Sequence, residues 1–181
     1  GDLDQVVGND GTHPIRIYEN DGIDSFTSIW SSSGTEAAFS VTVGDYDNDG
    51  DNDFLIGNSN QANNLYRNDG GGNFNSAWTS TETEYSYSVA WGDYDNDGDL
   101  DQLVGNESAA QRNRVYRNDG TNSFATAWNS TEMELTYGVA WGDYDGDGDL
   151  DQLVGNSGET NRVYRNDGGN TFVSAWNSSE T

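Results

Sequence analysis

Short runs of apolar and β-branched residues alternate with clusters of glycine, asparagine and aspartate at intervals of about ten residues along the chain. This spacing predicts short strands separated by turns, and no stretch has the period of an amphipathic helix. In one unit the runs indicate four strands, which we call A to D: Tyr87 to Trp91, Leu100 to Val104, Arg114 to Arg117 and Ser123 to Trp128. The chain is therefore predicted to be all-β.

The tripeptide Asn-Asp-Gly separates strand C from strand D in every unit, at residues 20–22, 68–70, 118–120 and 166–168. Asn-Gly and Asp-Gly dipeptides supply the positive φ angles that tight hairpins need. Strands C and D are therefore predicted to form an antiparallel hairpin in each unit.

The sequence also repeats itself with a period of about fifty residues, which is typical of propeller blades and exceeds the period of leucine-rich or ankyrin repeats. Residues 43–58, 91–106 and 141–156 align without gaps, and residues 1–9 match the second half of that segment. Because radial packing covers the faces of four-stranded antiparallel sheets, we predict a β-propeller of about four repeats. The expected blades span residues 1–34, 35–82, 83–132 and 133–181.

The first blade is expected to lack its strand A, which leaves fifteen predicted strands and an open edge at strand B. An open edge would be covered either by further sequence of a longer chain or by another copy of the same chain. We therefore expect a segment of a larger propeller or a homo-oligomer that completes the open blade.

Each unit after the first carries the loop Asp-x-Asp-x-Asp-Gly-x-x-Asp between strands A and B. Carboxylates at positions 1, 3, 5 and 9 and the main-chain carbonyl at position 7 converge if the chain wraps tightly, which glycine at position 6 permits. Four like charges in nine residues repel one another unless a cation lies between them. All-oxygen ligands in a flexible loop favour calcium over magnesium, so about three Ca²⁺ ions are expected. The predicted ligands are Asp45, Asp47, Asp49, Asp51 and Asp53; Asp93, Asp95, Asp97, Asp99 and Asp101; and Asp143, Asp145, Asp147, Asp149 and Asp151, with Asp51, Asp99 and Asp149 acting through their carbonyls.

Two features of the sequence limit which metal-binding family the loop can belong to and how many complete sites are expected. An EF-hand needs a bidentate glutamate at position 12, where this chain has Ile56, Val104 and Val154, so that family is excluded. The first unit retains only Asp4 and the carbonyl of Asp2, so its site is predicted to be incomplete unless residues upstream of Gly1 complete it.

The loop, followed by Val-Gly-Asn and then by Asn-Arg-Val-Tyr-Arg-Asn-Asp-Gly, resembles the FG-GAP/VCBS repeats over nearly the whole chain. That family is similar to the propeller of integrin α-subunits and to secreted bacterial repeat proteins. The resemblance implies β-propeller blades with calcium in the loop between strands A and B. Because calcium sites of millimolar affinity are filled outside cells and mostly empty in cytosol, we expect a secreted or cell-surface protein. Complete propellers of the family have about seven blades.

Composition narrows the range of partners. The chain has 32 acidic residues against 7 lysines and arginines and a formal charge of −25, which disfavours nucleic acids and anionic membrane surfaces. No apolar run approaches the roughly twenty residues that a membrane-spanning helix needs. The absence of cysteine removes disulfides and thiolate metal sites, so cross-linking has to come from hard cations.

The recurring aromatic and basic residues have two interpretations each. Tryptophans at the ends of strands A and D are expected to pack between blades, with stacking against sugars as the alternative. Arginines recur at one position of strand C and are expected to pair with a loop aspartate rather than to bind a ligand. The tryptophans are Trp30, Trp78, Trp91, Trp128, Trp141 and Trp176, and the arginines are Arg67, Arg117 and Arg165.

The sequence predicts no catalytic residue and no organic cofactor, because the repeated chemistry is confined to the metal loops and the single histidine, His13, has no counterpart in the other repeats. The leading hypothesis is a calcium-stabilised, non-enzymatic extracellular scaffold or adhesion module with a protein or glycan ligand. The alternatives are a carbohydrate-binding propeller lectin, the propeller part of a secreted polysaccharide-degrading enzyme, and a self-assembling ring or filament subunit.

Overall fold

The computed structural model describes residues 4–121 and 123–179, and those residues form strands, turns and loops without a helix. Their fifteen strands agree with the predicted number. In chain order the strands are β1 (Gln5–Val7), β2 (Arg16–Asn20), β3 (Phe26–Ser31), β4 (Ala38–Gly44), β5 (Asp53–Gln61), β6 (Asn64–Asn68), β7 (Phe74–Thr79), β8 (Glu84–Gly92), β9 (Asp101–Asn106), β10 (Arg114–Asn118), β11 (Phe124–Asn129), β12 (Thr136–Gly142), β13 (Asp151–Asn156), β14 (Arg162–Asn166) and β15 (Phe172–Asn177).

The strands form antiparallel sheets that correspond to successive repeats. The first sheet has the order β1-β2-β3, and the last has the order β12-β13-β14-β15. Between them lie the second sheet, β4 to β7, and the third sheet, β8 to β11, so that the last sheet is the fourth. A short pairing of Ser59 with Tyr85 and of Gln61 with Glu84 joins the second and third sheets at their edges. The prediction of an all-β propeller built of four-stranded antiparallel blades is confirmed.

The predicted hairpin turn is present in all four repeats. Its glycines, Gly22, Gly70, Gly120 and Gly168, have φ angles between 71° and 76°, which glycine adopts without strain. The asparagine that starts the turn reinforces it, since in the third repeat Asn118 Oδ1 accepts a hydrogen bond of 3.1 Å from the amide of Gly120.

The hydrophobic core lies between successive sheets. The junction of the second and third sheets buries Leu55 and Leu65 against Val104 and Phe124. Equivalent clusters fill the junctions of the first with the second sheet and of the third with the fourth. Each of the two middle sheets therefore packs one face against the preceding repeat and the other against the following repeat.

Tryptophans contribute to every junction, and five of the six lie there as predicted, whereas Trp176 of the last sheet is 52% exposed. The ring of Trp78 meets Tyr116 of the next repeat edge-on with centroids 5.3 Å apart, and Trp30 and Trp128 make the same kind of contact. Trp91, at the end of strand A, lies parallel to Tyr46 of the preceding repeat at 6.4 Å. Aromatic pairs in this geometry add about 0.5 to 1.5 kcal/mol to the energy of burial.

The three recurring arginines pair with aspartates, but not all with the same loop. Arg67 bonds Asp69 at 2.7 Å and Arg165 bonds its counterpart in the fourth repeat, so these partners lie in the turn between strands C and D. Arg117 instead approaches Asp95 of the metal loop at 3.9 Å. These ion pairs are exposed and contribute little to stability.

Within residues 4–121 and 123–179 there is no helix of the length and apolar character needed to cross a membrane.

Candidate metal centres

Three groups of aspartates lie in the loops that join strand A to strand B. In the second repeat, one carboxylate oxygen each from Asp45, Asp47 and Asp53 lies within 4.8 Å of the others. The same arrangement recurs twice along the chain. The further groups are Asp93, Asp95 and Asp101 in the third repeat and Asp143, Asp145 and Asp151 in the fourth.

Two residues in left-handed conformations produce this convergence. Gly50 at position 6 has a φ of 95°, as its glycine predicts, and Asn48 at position 4 has a φ of 58°. The resulting wrap allows Asp45 to accept hydrogen bonds from the amides of Asp49 and Gly50 at 3.1 and 3.0 Å. Position 4 was not predicted from the sequence, although asparagine and glycine, which tolerate positive φ, occupy it in all three loops.

The predicted ligands at positions 5 and 7 are not part of these groups of three. The carboxylate of Asp49 accepts a hydrogen bond from the amide of Asp51 at 2.9 Å, and the equivalent bond recurs in the other two loops. Positions 1, 3 and 9 are thus brought together, whereas ligation by positions 5 and 7 stays a prediction.

The aspartate at position 9 also braces the loop against the hairpin of its own repeat. Asp53 is fully buried, and its two oxygens accept hydrogen bonds from the amides of Tyr46 and Asn68 at 3.1 and 2.7 Å. Burial raises the pKa of Asp53 to about 6 and that of Asp101 to about 7, although these amide bonds act in the opposite direction. In the first repeat Asp4 makes the same bond to the amide of Asn20, while Asp2 lies outside the described residues.

The aspartate at position 3 supplies the test of whether a cation fits. Asp47 and Asp95 each have one buried carboxylate oxygen that no protein group hydrogen-bonds. Burial raises the pKa of both carboxyls, and the neighbouring aspartate at position 5 adds to the effect. A buried anionic oxygen without a donor is costly unless a cation compensates it. Carboxylates in this arrangement therefore fit a hard divalent cation such as calcium.

Side chains also link the loops of the second and third repeats to the repeat that follows each of them. Asn48 Nδ2 donates to Asp99 Oδ1 at 2.9 Å, and Asn96 makes the same bond to Asp149. In the reverse direction, Asn118 Nδ2 donates to the main-chain oxygen of Tyr46 at 2.8 Å. The candidate centres are therefore part of the junctions between blades, which sequence reasoning did not predict.

A separate feature lies on strand A. Phe39, Tyr87 and Tyr137 each occupy the bulge of this strand, where the pairing with strand B shifts register. Their rings form a row with centroids 4.4 and 4.8 Å apart, and the two end residues are exposed. Bulges commonly re-aim a side chain at a functional surface.

Comparison with known proteins gives one finding. A family described as FG-GAP-like repeat matches the chain three times, over residues 1–56, 45–104 and 103–154. Each matched range contains at least one complete aspartate loop. No curated protein matches the chain.

Proposed function

Because the chain belongs to the FG-GAP-like repeat family, we propose that it is a non-catalytic interaction module whose propeller blades are stabilised by calcium outside the cell. The observation that carries the proposal is the unpartnered buried oxygen of Asp47 and of Asp95, both at position 3, since it points to a cation as the missing partner. The grouping of three carboxylates per loop supports the same ion.

Calcium would act on the structure rather than on a substrate. The carboxylates at positions 1, 3 and 9 would hold the ion, which supplies positive charge where burial and mutual repulsion destabilise the carboxylates. Three divalent ions would change the formal charge of the chain from −25 to about −19. The ion would tie strand A to strand B, because the loop connects those two strands.

A place outside the cell follows from the ion. Calcium loops of moderate affinity are filled at extracellular calcium concentrations and are mostly empty in cytosol. A chain without cysteine cannot use disulfides there, so the proposed ions would be its cross-links. Adhesion or scaffolding is the corresponding role.

Calorimetric titration of the chelated chain tests the proposal. We expect about three calcium ions per chain and a melting temperature that rises with calcium and falls again with chelator, because each site filled at a hundredfold excess over its Kd adds about 2.7 kcal/mol. Changing Asp47, Asp95 and Asp145 to Asn should abolish the rise. The control changes three turn aspartates, Asp69, Asp119 and Asp167, to Asn, which removes the same charge outside the loops. Absence of binding heat, or equal loss in both variants, would overturn the proposal.

The aromatic row favours carbohydrate binding as a second candidate. Exposed rings in a row offer apolar faces on which sugar rings stack, and Glu107 accepts a hydrogen bond from the Tyr137 hydroxyl at 2.8 Å beside them. A glycan array probed in calcium with the parent chain and with Tyr137→Ala tests this role. Binding that the variant loses would support it, and silence across the array would count against it.

A further inference from the structure

The third repeat holds an arginine in a largely buried ionic network outside the metal loops. Arg114 Nε and Nη2 donate to the two carboxylate oxygens of Glu84 at 2.8 and 2.7 Å, and its Nη1 donates to Asn129 at 2.7 Å. Glu82 lies 3.6 Å from the same guanidinium and accepts a hydrogen bond of 2.9 Å from the hydroxyl of Tyr116. Only 16% of the Arg114 side chain is exposed. One guanidinium thus compensates two acidic residues.

The fourth repeat builds the same network from its equivalent residues. Two nitrogens of Arg162 bond Glu134, and the third bonds Asn177 at 2.8 Å. The hydroxyl of Tyr164 donates to Glu132 at 2.8 Å. A guanidinium that forks onto a carboxylate is among the stronger hydrogen-bonded pairs in proteins, so its recurrence marks a designed position in the repeat.

The second repeat keeps the carboxylate of this network but not the guanidinium. Alignment of the repeats places Glu36 at the position of Glu84 and Asn64 at the position of Arg114. The hydroxyl of Tyr66, the equivalent tyrosine, donates to Oε1 of Glu36. Glu36 is only 8% exposed, and no group among the residues that the structure describes hydrogen-bonds its other oxygen, Oε2. A buried carboxylate is therefore left without the cation that its counterparts have.

Two smaller residues leave space beside this carboxylate. Gly34 stands where the third repeat has Glu82, and a β-carbon added at Gly34 would meet no atom within 4 Å. Asn64 is shorter than arginine, and its Oδ1 accepts a hydrogen bond from the hydroxyl of Thr79 at 2.9 Å. Gly34 and Thr79 are exposed. The position that Arg114 fills in the third repeat therefore borders solvent in the second.

The chemistry of this position, which we call the Glu36 site, selects one kind of ligand. Removing one partner of a buried ion pair leaves an uncompensated charge, which a cation from outside can neutralise. A planar guanidinium matches a carboxylate with two parallel hydrogen bonds, whereas an ammonium acts as a point charge. We propose that the Glu36 site binds the guanidinium group of an arginine side chain that a partner protein supplies.

The charge of the chain favours such a partner. A formal charge of −25 attracts a basic surface over distances longer than the site itself. The inference rests on the proposed role as an interaction module and names the chemistry of one contact. It does not depend on calcium, because Glu36 and Asn64 lie outside the aspartate loops.

Titration with small arginine analogues tests the proposal. N-acetylarginine amide and guanidinium are added separately at millimolar concentration, far below the molar range in which guanidinium unfolds proteins. Binding is followed through the amide resonances of residues 34–36 and 64–66 in NMR spectra. We expect saturable shifts with both compounds, weaker ones with N-acetyllysine amide, and none with urea, which is planar but uncharged.

Matched variants assign any binding to the site. Glu36→Gln should abolish it, whereas Glu19→Gln, which removes the same charge from an exposed residue of β2, should retain it. Asn64→Arg should also abolish binding, because its own guanidinium would fill the site, and should raise the melting temperature by about 2 to 4 °C. Arg114→Asn should create a second site in the third repeat and add shifts there.

Several results would overturn the proposal. They are the absence of binding to the parent chain, binding that Glu36→Gln leaves intact, and equal shifts with urea. Binding of guanidinium but not of N-acetylarginine amide would also overturn it, because the site would then hold a free ion and not a partner's side chain. If circular dichroism shows that Glu36→Gln does not fold, Asn64→Arg decides. Calcium binding has its own calorimetric readout, so failure of either proposal can be recognised without the other.

Discussion

Replacing Asn118 with alanine isolates the hydrogen bond that ties one metal loop to the next blade. Its Nδ2 donates to the oxygen of Tyr46 at 2.8 Å and more weakly to that of Leu100 at 3.4 Å. Asn68, the same residue one repeat earlier, has only the counterpart of the weaker bond, to Asn52 at 3.3 Å. Both asparagines also brace their own turn, so Asn68→Ala is a matched control in which only the bond between repeats is missing.

The difference between the two variants has a calculable size. Tyr46 is completely buried, so truncating Asn118 leaves its carbonyl without this donor and away from water. An unsatisfied buried polar group costs about 1 to 3 kcal/mol. Asn118→Ala should therefore lower the free energy of unfolding by about 2 kcal/mol more than Asn68→Ala, which corresponds to a melting temperature about 4 to 8 °C lower.

Urea unfolding followed by tryptophan fluorescence measures this difference, since tryptophans lie in every junction. Asn166→Ala repeats the experiment at the following junction, where the same bond reaches Tyr94 at 2.8 Å. Equal losses in Asn118→Ala and Asn68→Ala would refute the reasoning, because they would mean that the contact between repeats contributes nothing beyond the turn.

Two further predictions concern buried polar groups. Gln102 is fully buried, no protein group hydrogen-bonds its side-chain amide, and Phe54 occupies the same position one repeat earlier. Gln102→Leu should therefore raise the free energy of unfolding by about 1 to 3 kcal/mol. A lower urea midpoint for this variant would contradict the prediction. Burial raises the pKa of Asp53 to about 6 and that of Asp101 to about 7, so protonation of these carboxyls favours the folded state. Their contribution to the free energy of unfolding is fully present below about pH 4 and is lost as the pH rises through the two raised pKa values. In chelator the melting temperature should therefore fall between pH 5 and pH 8, and Asp101→Asn should flatten the slope, whereas a rise with pH would be contrary.

The strands and the turns could be predicted from the sequence because their signals are local. Alternating apolar residues and Asn-Asp-Gly indicated strands C and D, and β10 and β11 lie within one residue of the expected bounds. The spacing of the aspartates predicted that positions 1, 3, 5 and 9 converge with the carbonyl of position 7, and the structure groups positions 1, 3 and 9. The family resemblance agrees with the three matches along the chain.

Contacts between repeats could not be predicted in the same way, because residues about fifty or more apart in sequence make them. The spacing of the aspartates predicts no structural role for Asn48. Its backbone nevertheless adopts a left-handed conformation, and its side chain donates a hydrogen bond to Asp99 in the next loop. The bulge that exposes Tyr137 is also invisible in the sequence, since it depends on the register of strand A against strand B. Such features follow from the packing of blades and not from the pattern of one blade.

These contacts make the loops and the junctions one structural system. The ring of Tyr46, at position 2 of its loop, lies in the core between the second and third sheets, and its carbonyl receives Asn118 from the third. Asn48 at position 4 reaches Asp99 in the following loop. An ion that fixes the conformation of positions 1 to 9 would therefore fix one side of the junction as well as the connection between strands A and B. The contacts of Tyr46 and Asn48 thus give the aspartate loop between strands A and B a structural role at the junction of neighbouring blades.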